Sequence, residues 1–131
     1  MQYAIRTLIV LALQGDDLLP VREIAEDYHV PRKYLEMIMV DLRRAGFVES
    51  TRGKAGGYRL ARDPSAIHLA EVVGALEPGW GNAPESQSDP YPEVPLLHHL
   101  EGRIRAEFAA ATVADALMWW QRGRRALTYS I

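Results

Sequence analysis

The stretch TRGKAGGYRL, residues 51–60, combines three glycines with arginine, lysine and tyrosine. Glycine-rich loops with positive charge commonly hold a phosphate, either of a nucleotide in a pocket or of a nucleic-acid backbone on a surface. A P-loop requires Ser or Thr after Gly-Lys and another glycine five positions before the glycine of that pair. Here Ala55 follows Gly53-Lys54, and position 48 is valine. The glycine frame of dinucleotide-binding loops also fails at Ala55. A nucleic-acid backbone remains, beside the plainer alternative of a hairpin turn with incidental charge.

Charge is unevenly distributed along the chain, although the net charge is only −2. Residues 43–62 contain six bases and one acid, whereas residues 63–101 contain seven acids and no lysine or arginine. The six bases are Arg43, Arg44, Arg52, Lys54, Arg59 and Arg62. This polarity predicts a basic working surface on an acidic body. Chance clustering of solvated charge is the alternative.

The composition bounds the class of protein. The 131 residues suffice for one compact domain with an appendage. No stretch reaches the roughly 18 apolar residues of a membrane span. The opening run AIRTLIVLAL contains Arg6 and no small-residue cleavage pattern follows it, so we interpret it as a helix rather than a signal peptide and expect a cytoplasmic protein without a membrane partner. The absence of cysteine excludes disulfides and thiolate-held clusters. Without a convincing catalytic pair, we expect no enzyme and no cofactor.

The elements that must position the loop are predicted from apolar spacing and from helix-breaking residues. Three helices are predicted over residues 2–14, 21–30 and 31–46, the last beginning at a proline and ending at a glycine. FVES and YRLAR predict a β-hairpin whose tip is the glycine-rich loop. A short helix is predicted over residues 67–76.

The C-terminal part divides into two segments. Residues 78–95 contain five prolines, two glycines and three acids, which is typical of a loop or linker. From residue 96 to about residue 122 the apolar spacing predicts one helix, about 40 Å long. A stripe of this length commonly meets a partner helix. We therefore predict a DNA-binding domain over 1–77, a proline-rich loop or sensing segment over 78–95, and a dimerisation helix with its tail over 96–131.

Two short helices joined by a tight turn and followed by a basic hairpin predict a mostly α fold, a winged helix-turn-helix. In that architecture the second helix of the pair enters the major groove, and the hairpin, or wing, lies on phosphates or in the minor groove. Arg32, Lys33 and Tyr34 fall at the start of that helix, where side chains reach base edges. Arg52 and Lys54 fall at the wing tip. Arg43 and Arg44 are expected to flank the backbone.

Several motifs in order resemble those of the Rrf-two (Rrf2) family of bacterial transcription regulators. They are "REIA" in the second helix, "YLE" in the third, "LRRAGFV" after it, and the wing "RGKAGGYRLAR". "TVADAL" at residues 112–117 is similar to the family's dimerisation helix. The resemblance covers almost the whole chain except residues 78–95.

The resemblance implies a homodimer that binds a two-fold symmetric operator on double-stranded DNA. Glu36 matches the glutamate of "YLE", with which family members recognise bases, and a carboxylate accepts a hydrogen bond from the cytosine amino group. A solvated helix face is the alternative for Glu36. The family's wing arginine, directed toward the minor groove, corresponds to Arg52. Gly56, Gly57 and Tyr58 match the wing's glycine-glycine-tyrosine.

The sequence departs from the family in three respects. Cluster-bearing members place three cysteines in the segment matching residues 78–95, and this chain has none, so we expect no iron–sulfur cluster. The basic lead that usually precedes "YAIR" is absent, which removes phosphate contacts or reflects a gene start placed too late. Lys54 and Ala55 replace the usual proline and glycine of the wing, which keeps charge and changes the turn.

A candidate effector pocket is predicted around Trp80, Tyr91, His98 and His99, with a small molecule or a protein as the effector. The alternative is a loop whose aromatic side chains pack on the dimer helices. Adjacent histidines on a helix point about 100° apart, so His98 and His99 do not chelate one ion by themselves and no metal site is predicted.

The sequence therefore predicts a homodimeric, sequence-specific DNA-binding transcriptional regulator, acting as a repressor. The alternative is a protein-interaction module that kept the fold and lost DNA binding. The altered wing and missing lead favour that alternative, and the preserved bases oppose it.

Overall fold

A computed structural model of the chain describes residues 1–80 and 91–129. Helices dominate these ranges, and one antiparallel hairpin interrupts them, as predicted. In chain order the elements are α1 (Gln2–Gln14), α2 (Val21–Asp27), α3 (Arg32–Arg44), β1 (Val48–Thr51), β2 (Gly57–Leu60), a 3-10 turn (Pro64–Ala66), α4 (Leu69–Leu76), α5 (Val94–Ala110) and α6 (Val113–Tyr129).

The core lies where the apolar faces of α1, α2, α3 and α4 meet. α3 buries Leu35, Met39 and Leu42, spaced by four and three residues so that they share one face. Burial of a leucine side chain stabilises the fold by roughly 1.5–3 kcal/mol relative to its exposure. The opposite face of α3 is therefore the one left to solvent.

The hairpin is fastened to the segment that precedes α2. β1 and β2 pair antiparallel, with Val48 opposite Leu60 and Thr51 opposite Gly57. Tyr58 and Leu19 then exchange two backbone hydrogen bonds, each 2.9 Å from nitrogen to oxygen. Leu19 thus acts as a one-residue third strand, which fixes the wing relative to the helix-turn-helix.

The single helix predicted from residue 96 to about 122 is wrong, because the structure has two helices there. α5 ends at Ala110, Ala111 is extended, and α6 begins at Val113. Thr112 and Asp115 form a capping box: the Thr112 N–H donates to the Asp115 carboxylate (2.9 Å), and the Asp115 N–H donates to the Thr112 hydroxyl (3.2 Å).

Tertiary hydrogen bonds hold this break open. The Val113 N–H donates to the Ile67 carbonyl and the Leu69 N–H donates to the Ala111 carbonyl, each at 2.9 Å. A continuous helix would need those two groups for its own ladder. α6 folds back from the break to pack on α1. No helix among the described residues is long and apolar enough to cross a membrane.

Candidate nucleic-acid interface

The exposed face of α3 is a band in which two cations flank two apolar side chains. Lys33, Met37, Val40 and Arg44 are exposed and spaced by four, three and four residues, so they share the side of the helix opposite the core. Arg32, Glu36 and Arg43 border this band. The Arg32 Nε lies 3.9 Å from a Glu36 carboxylate oxygen, and both side chains remain mostly exposed.

The turn before α3 is held in place by α1. His29 adopts a positive φ of 55° in this turn, a conformation uncommon outside glycine. The guanidinium of Arg6 donates to the carbonyls of Tyr28 and His29 at 3.1 and 2.9 Å. α3 then begins at Arg32, directly after Pro31, which occupies the N-cap position with an extended ψ of 128°. These contacts hold the turn between α2 and α3 against α1.

Tyr34, one of the predicted DNA contacts, also connects α3 to α1. Its ring stacks on Tyr3 with a centroid distance of 5.9 Å and an interplanar angle of 17°. The Lys33 ammonium lies 5.9 Å from the Tyr34 ring centroid. Tyr34 remains 49% exposed, so it orients the first turn of α3 and still offers an edge to a ligand.

A cleft of about 420 Å³ brings the end of α3 and the wing together. Arg43 and Arg52 both line it, beside the hydroxyl residues Ser50 and Thr51. The Arg43 guanidinium lies within 3.5 Å of the Ser50 hydroxyl. Two guanidinium groups, hydroxyls and a nearby glycine backbone are the donors that phosphate oxygens accept from.

The bases of residues 43–62 separate into two groups. Arg59 pairs with Glu49, its neighbour across the hairpin. Arg62 lies 3.3 Å from a Glu71 carboxylate oxygen and stacks over Phe47. Within the part of the chain that the structure describes, no carboxylate lies within ion-pair distance of the other four, which are Arg43, Arg44, Arg52 and Lys54. The basic surface is therefore narrower than the sequence indicated, and it is concentrated on α3 and the wing tip.

The wing glycines match the family pattern for a structural reason. A side chain on Gly56 would strike the Thr51 carbonyl, and one on Gly57 would lie 2.6 Å from the Leu19 carbonyl carbon. Tyr58 is half-buried and packs against the core. Lys54 and Arg52 are exposed at the tip, so the glycines shape the loop that presents these two cations.

Sequence reasoning missed several features of this surface. Met37 and Val40 were not singled out, although they are 64% and 43% exposed. The contribution of Pro20 and Val21 to the cleft was missed as well. All four residues of the run MIMV at 37–40 are apolar, so their types do not indicate which of them are exposed. That depends on the helical phase of α3, which the buried Leu35 and Leu42 set.

Of the four residues of the predicted effector pocket, His98 and His99 lie on α5, and Trp80 contacts that helix at another residue. Trp80 packs edge-on against Phe108 of α5, with ring centroids 5.4 Å apart. His98 is half-buried, whereas His99 and Tyr91 are exposed. An apolar cavity of about 510 Å³ lies elsewhere, between α1, the turn before α3, and Trp120 of α6. The effector pocket at the four residues stays a prediction.

A helix-turn-helix whose second helix leaves one face free, followed by a hairpin with cations at its tip, defines a winged helix-turn-helix protein. A family model described as "Rrf2: Iron-dependent Transcriptional regulator" matches residues 1–116. The chain belongs to the Rrf2 family. This assignment confirms the resemblance and agrees with the expectation that the chain is not an enzyme.

Named relatives agree with the assignment. The HTH-type transcriptional regulator IscR of Cereibacter sphaeroides is 40% identical over 79 residues, which cover 58% of this chain and 51% of the relative. The structure of CymR, the global cysteine regulator of B. subtilis, aligns with a TM-score of 0.80 at 25% identity, covering 90% of this chain and 92% of that one. T. potens IscR aligns with a TM-score of 0.75 at 29% identity, covering 89% and 82%. The chain spans 51% to 60% of the length of several curated relatives it matches.

The family description names iron, and the residues of this chain do not fit a thiolate-held iron site. The 131 residues contain no cysteine. Among residues 1–80 and 91–129, no three His, Asp or Glu side chains are grouped so that they could hold a metal ion. His98 and His99 belong to no such group in that part of the chain. Iron therefore has no step in the mechanism proposed for this chain.

Proposed function

We propose that the chain is a cytoplasmic, homodimeric transcriptional regulator that binds a two-fold symmetric DNA operator and represses by occupying it. The observation that carries the proposal is the joint placement of Arg43 and Arg52 in one cleft beside the free face of α3. A helix in the major groove and a wing on the adjacent backbone require that juxtaposition.

The positions of the charged side chains suggest which residues contact bases and which contact phosphates. The B-DNA major groove, about 12 Å wide, admits one α-helix, and the free face of α3 carries the side chains that would meet base edges. Arg43 and Arg52, at the end of α3 and on the wing, would neutralise phosphates and fix the register. Lys54 would add a contact at the wing tip. Phosphate contacts of this kind supply affinity that does not depend on sequence.

Glu36 is the proposed base-specific acceptor. It is exposed on α3 and flanked by Arg32, whose Nε lies 3.9 Å from its carboxylate. Arg32 would offset the repulsion between that carboxylate and the phosphates. The carboxylate would accept a hydrogen bond from a cytosine amino group, a contact worth about 1–3 kcal/mol of discrimination when well formed.

The homodimer is supported by an apolar stripe on α5 that is exposed to solvent in the part of the chain that the structure describes. Leu97, Leu100 and Ile104 are all exposed, and their spacing of three and four residues puts them on one face. Exposed patches of large apolar side chains typically mark protein–protein contacts. A second copy related by a two-fold axis would present two recognition helices to half-sites about 34–36 Å apart, or a multiple of that spacing. Trp80, which lies after α4, contacts Phe108 of α5. A small molecule or a protein that changes this contact would alter the separation of the two recognition helices.

The direct test is footprinting of the purified chain on DNA upstream of its own gene, beside a scrambled fragment of equal length, in buffer containing EDTA. We expect two protected half-sites separated by about 10–10.5 base pairs or a multiple of it. Sedimentation of the free protein should give twice the chain mass. Equal, weak protection of both fragments would contradict the proposal and favour the interaction module.

A further inference from the structure

We propose that Met37 and Val40 form an apolar surface that recognises the 5-methyl groups of thymine in the major groove. The inference rests on the proposed function and specifies which base feature α3 recognises beside the cytosine assigned to Glu36.

The two side chains are exposed without a partner inside the described protein. Met37 is 64% exposed and Val40 43% exposed, whereas Met39, which lies between them in the sequence, is buried. A spacing of three residues places Met37 and Val40 side by side on the helix surface. Neither side chain belongs to the apolar core or packs against it, so both are available to contact a ligand.

The surroundings indicate that the occupant is a nucleic acid. Lys33 lies one turn before Met37 and Arg44 one turn after Val40 on the same face. Cations thus bracket the apolar pair, and the cleft that holds Arg43 and Arg52 lies at the same end of the helix as Arg44. An apolar surface bracketed by cations matches a groove in which apolar methyl groups lie between two phosphate backbones.

The local shape accommodates a methyl group. Glu36, Met37, Val40 and Asp41 surround a shallow concavity of about 320 Å³ on this face. Of the four bases, only thymine presents a methyl group in the major groove, and apolar side chains contact it there. The Glu36 carboxylate on one side of the concavity would accept from a neighbouring cytosine amino group. We therefore expect thymine next to the base that Glu36 contacts.

The test replaces single thymines by deoxyuridine, which removes only the 5-methyl group. An operator is first selected from random-sequence DNA with the intact protein. We expect one or two positions per half-site at which uracil weakens binding about fourfold, or about sixteenfold when both half-sites are changed. A fourfold change corresponds to about 0.8 kcal/mol at 1.4 kcal/mol per tenfold, close to the value for burying one methyl-sized group.

Two variants assign the effect to the side chains. Met37→Gln and Val40→Asn replace apolar surface by amide groups of similar size at exposed positions, so folding should be unaffected. Each variant should lower the thymine-to-uracil affinity ratio, and the two substitutions together should bring it close to one. Met118→Gln, an equally conservative change at an exposed methionine of α6, should leave the ratio at its wild-type value.

The outcomes separate this inference from the function on which it rests. Selective operator binding with a ratio of one at every thymine would overturn the inference and leave the proposed function standing. A ratio that stays fourfold in both α3 variants would also overturn it, because another group would then contact the methyl. If no sequence is selected from the random pool, both fail together.

Discussion

Gly57→Ala should be among the most destabilising single substitutions in the wing, because the Leu19 backbone occupies the space of its side chain. An alanine Cβ would lie 2.6 Å from the Leu19 carbonyl carbon and oxygen and 2.9 Å from the Pro20 nitrogen. Backbone must move, and the two hydrogen bonds between Leu19 and Tyr58 are the first to be lost. At roughly 0.5–1.5 kcal/mol each, plus about 1 kcal/mol for the φ of 155°, the expected loss is about 2–4 kcal/mol.

Urea unfolding followed by circular dichroism measures this loss directly, with Gly74→Ala as the matched control. Gly74 lies in α4, and a Cβ there meets nothing within 4 Å. Alanine at this helical position should raise the free energy of unfolding by about 0.5–1 kcal/mol. If Gly57→Ala unfolds within about 0.5 kcal/mol of the wild type, the bridge to Leu19 does not hold the wing and the reasoning fails.

Three further predictions concern the α5–α6 break, the turn and α3. Thr112→Ala should cost about 1 kcal/mol. Adding Asp115→Ala to Thr112→Ala should lower the free energy of unfolding little further, because both residues belong to one capping box. Additive losses in a double-mutant cycle would contradict that capping box. His29→Val should lower the free energy of unfolding by about 1–2 kcal/mol, because a β-branched residue resists positive φ, whereas His29→Gly should preserve it; equal losses would exclude backbone strain as the cause. Glu36→Ala should relax base preference at one position per half-site by about 1–3 kcal/mol, measured on a base-substitution series, and an unchanged preference would remove Glu36 from base recognition.

The N-terminal elements were predictable because local signals and tertiary packing agree there. α1 spans the predicted residues 2–14, and α3 ends two residues before Gly46. The C-terminal break was missed because apolar spacing continues across it, from Phe108 through Ala111. Thr112 and Asp115 do have the spacing of a capping box, which is a signal for a helix start that is visible in the sequence. The contacts that make the break obligatory, to Ile67 and Leu69, are tertiary.

The sequence predicted which cations belong to the candidate site, but not which of them are paired with carboxylates or which apolar residues lie beside them. Charge type alone did not show that Glu49 pairs with Arg59 across the hairpin, because strand register decides it. Exposure of Met37 depends on the helical phase of α3 against the core. Which cations remain without a carboxylate, and which apolar residues stay outside, are thus properties of the folded arrangement.

The central claim is that α3 and the wing contact DNA together, and the salt dependence of operator binding tests it most directly. We would measure affinity over a salt series for the wild type, Arg52→Ala and Arg103→Ala, the last removing an exposed arginine of α5. The account predicts that Arg52→Ala weakens binding and lowers the slope of log affinity against log salt by about 1, with the loss concentrated on A·T-rich sites if Arg52 enters a narrow minor groove. Arg103→Ala should leave the slope unchanged. Identical slopes for the wild type and Arg52→Ala would contradict the placement of the wing on DNA.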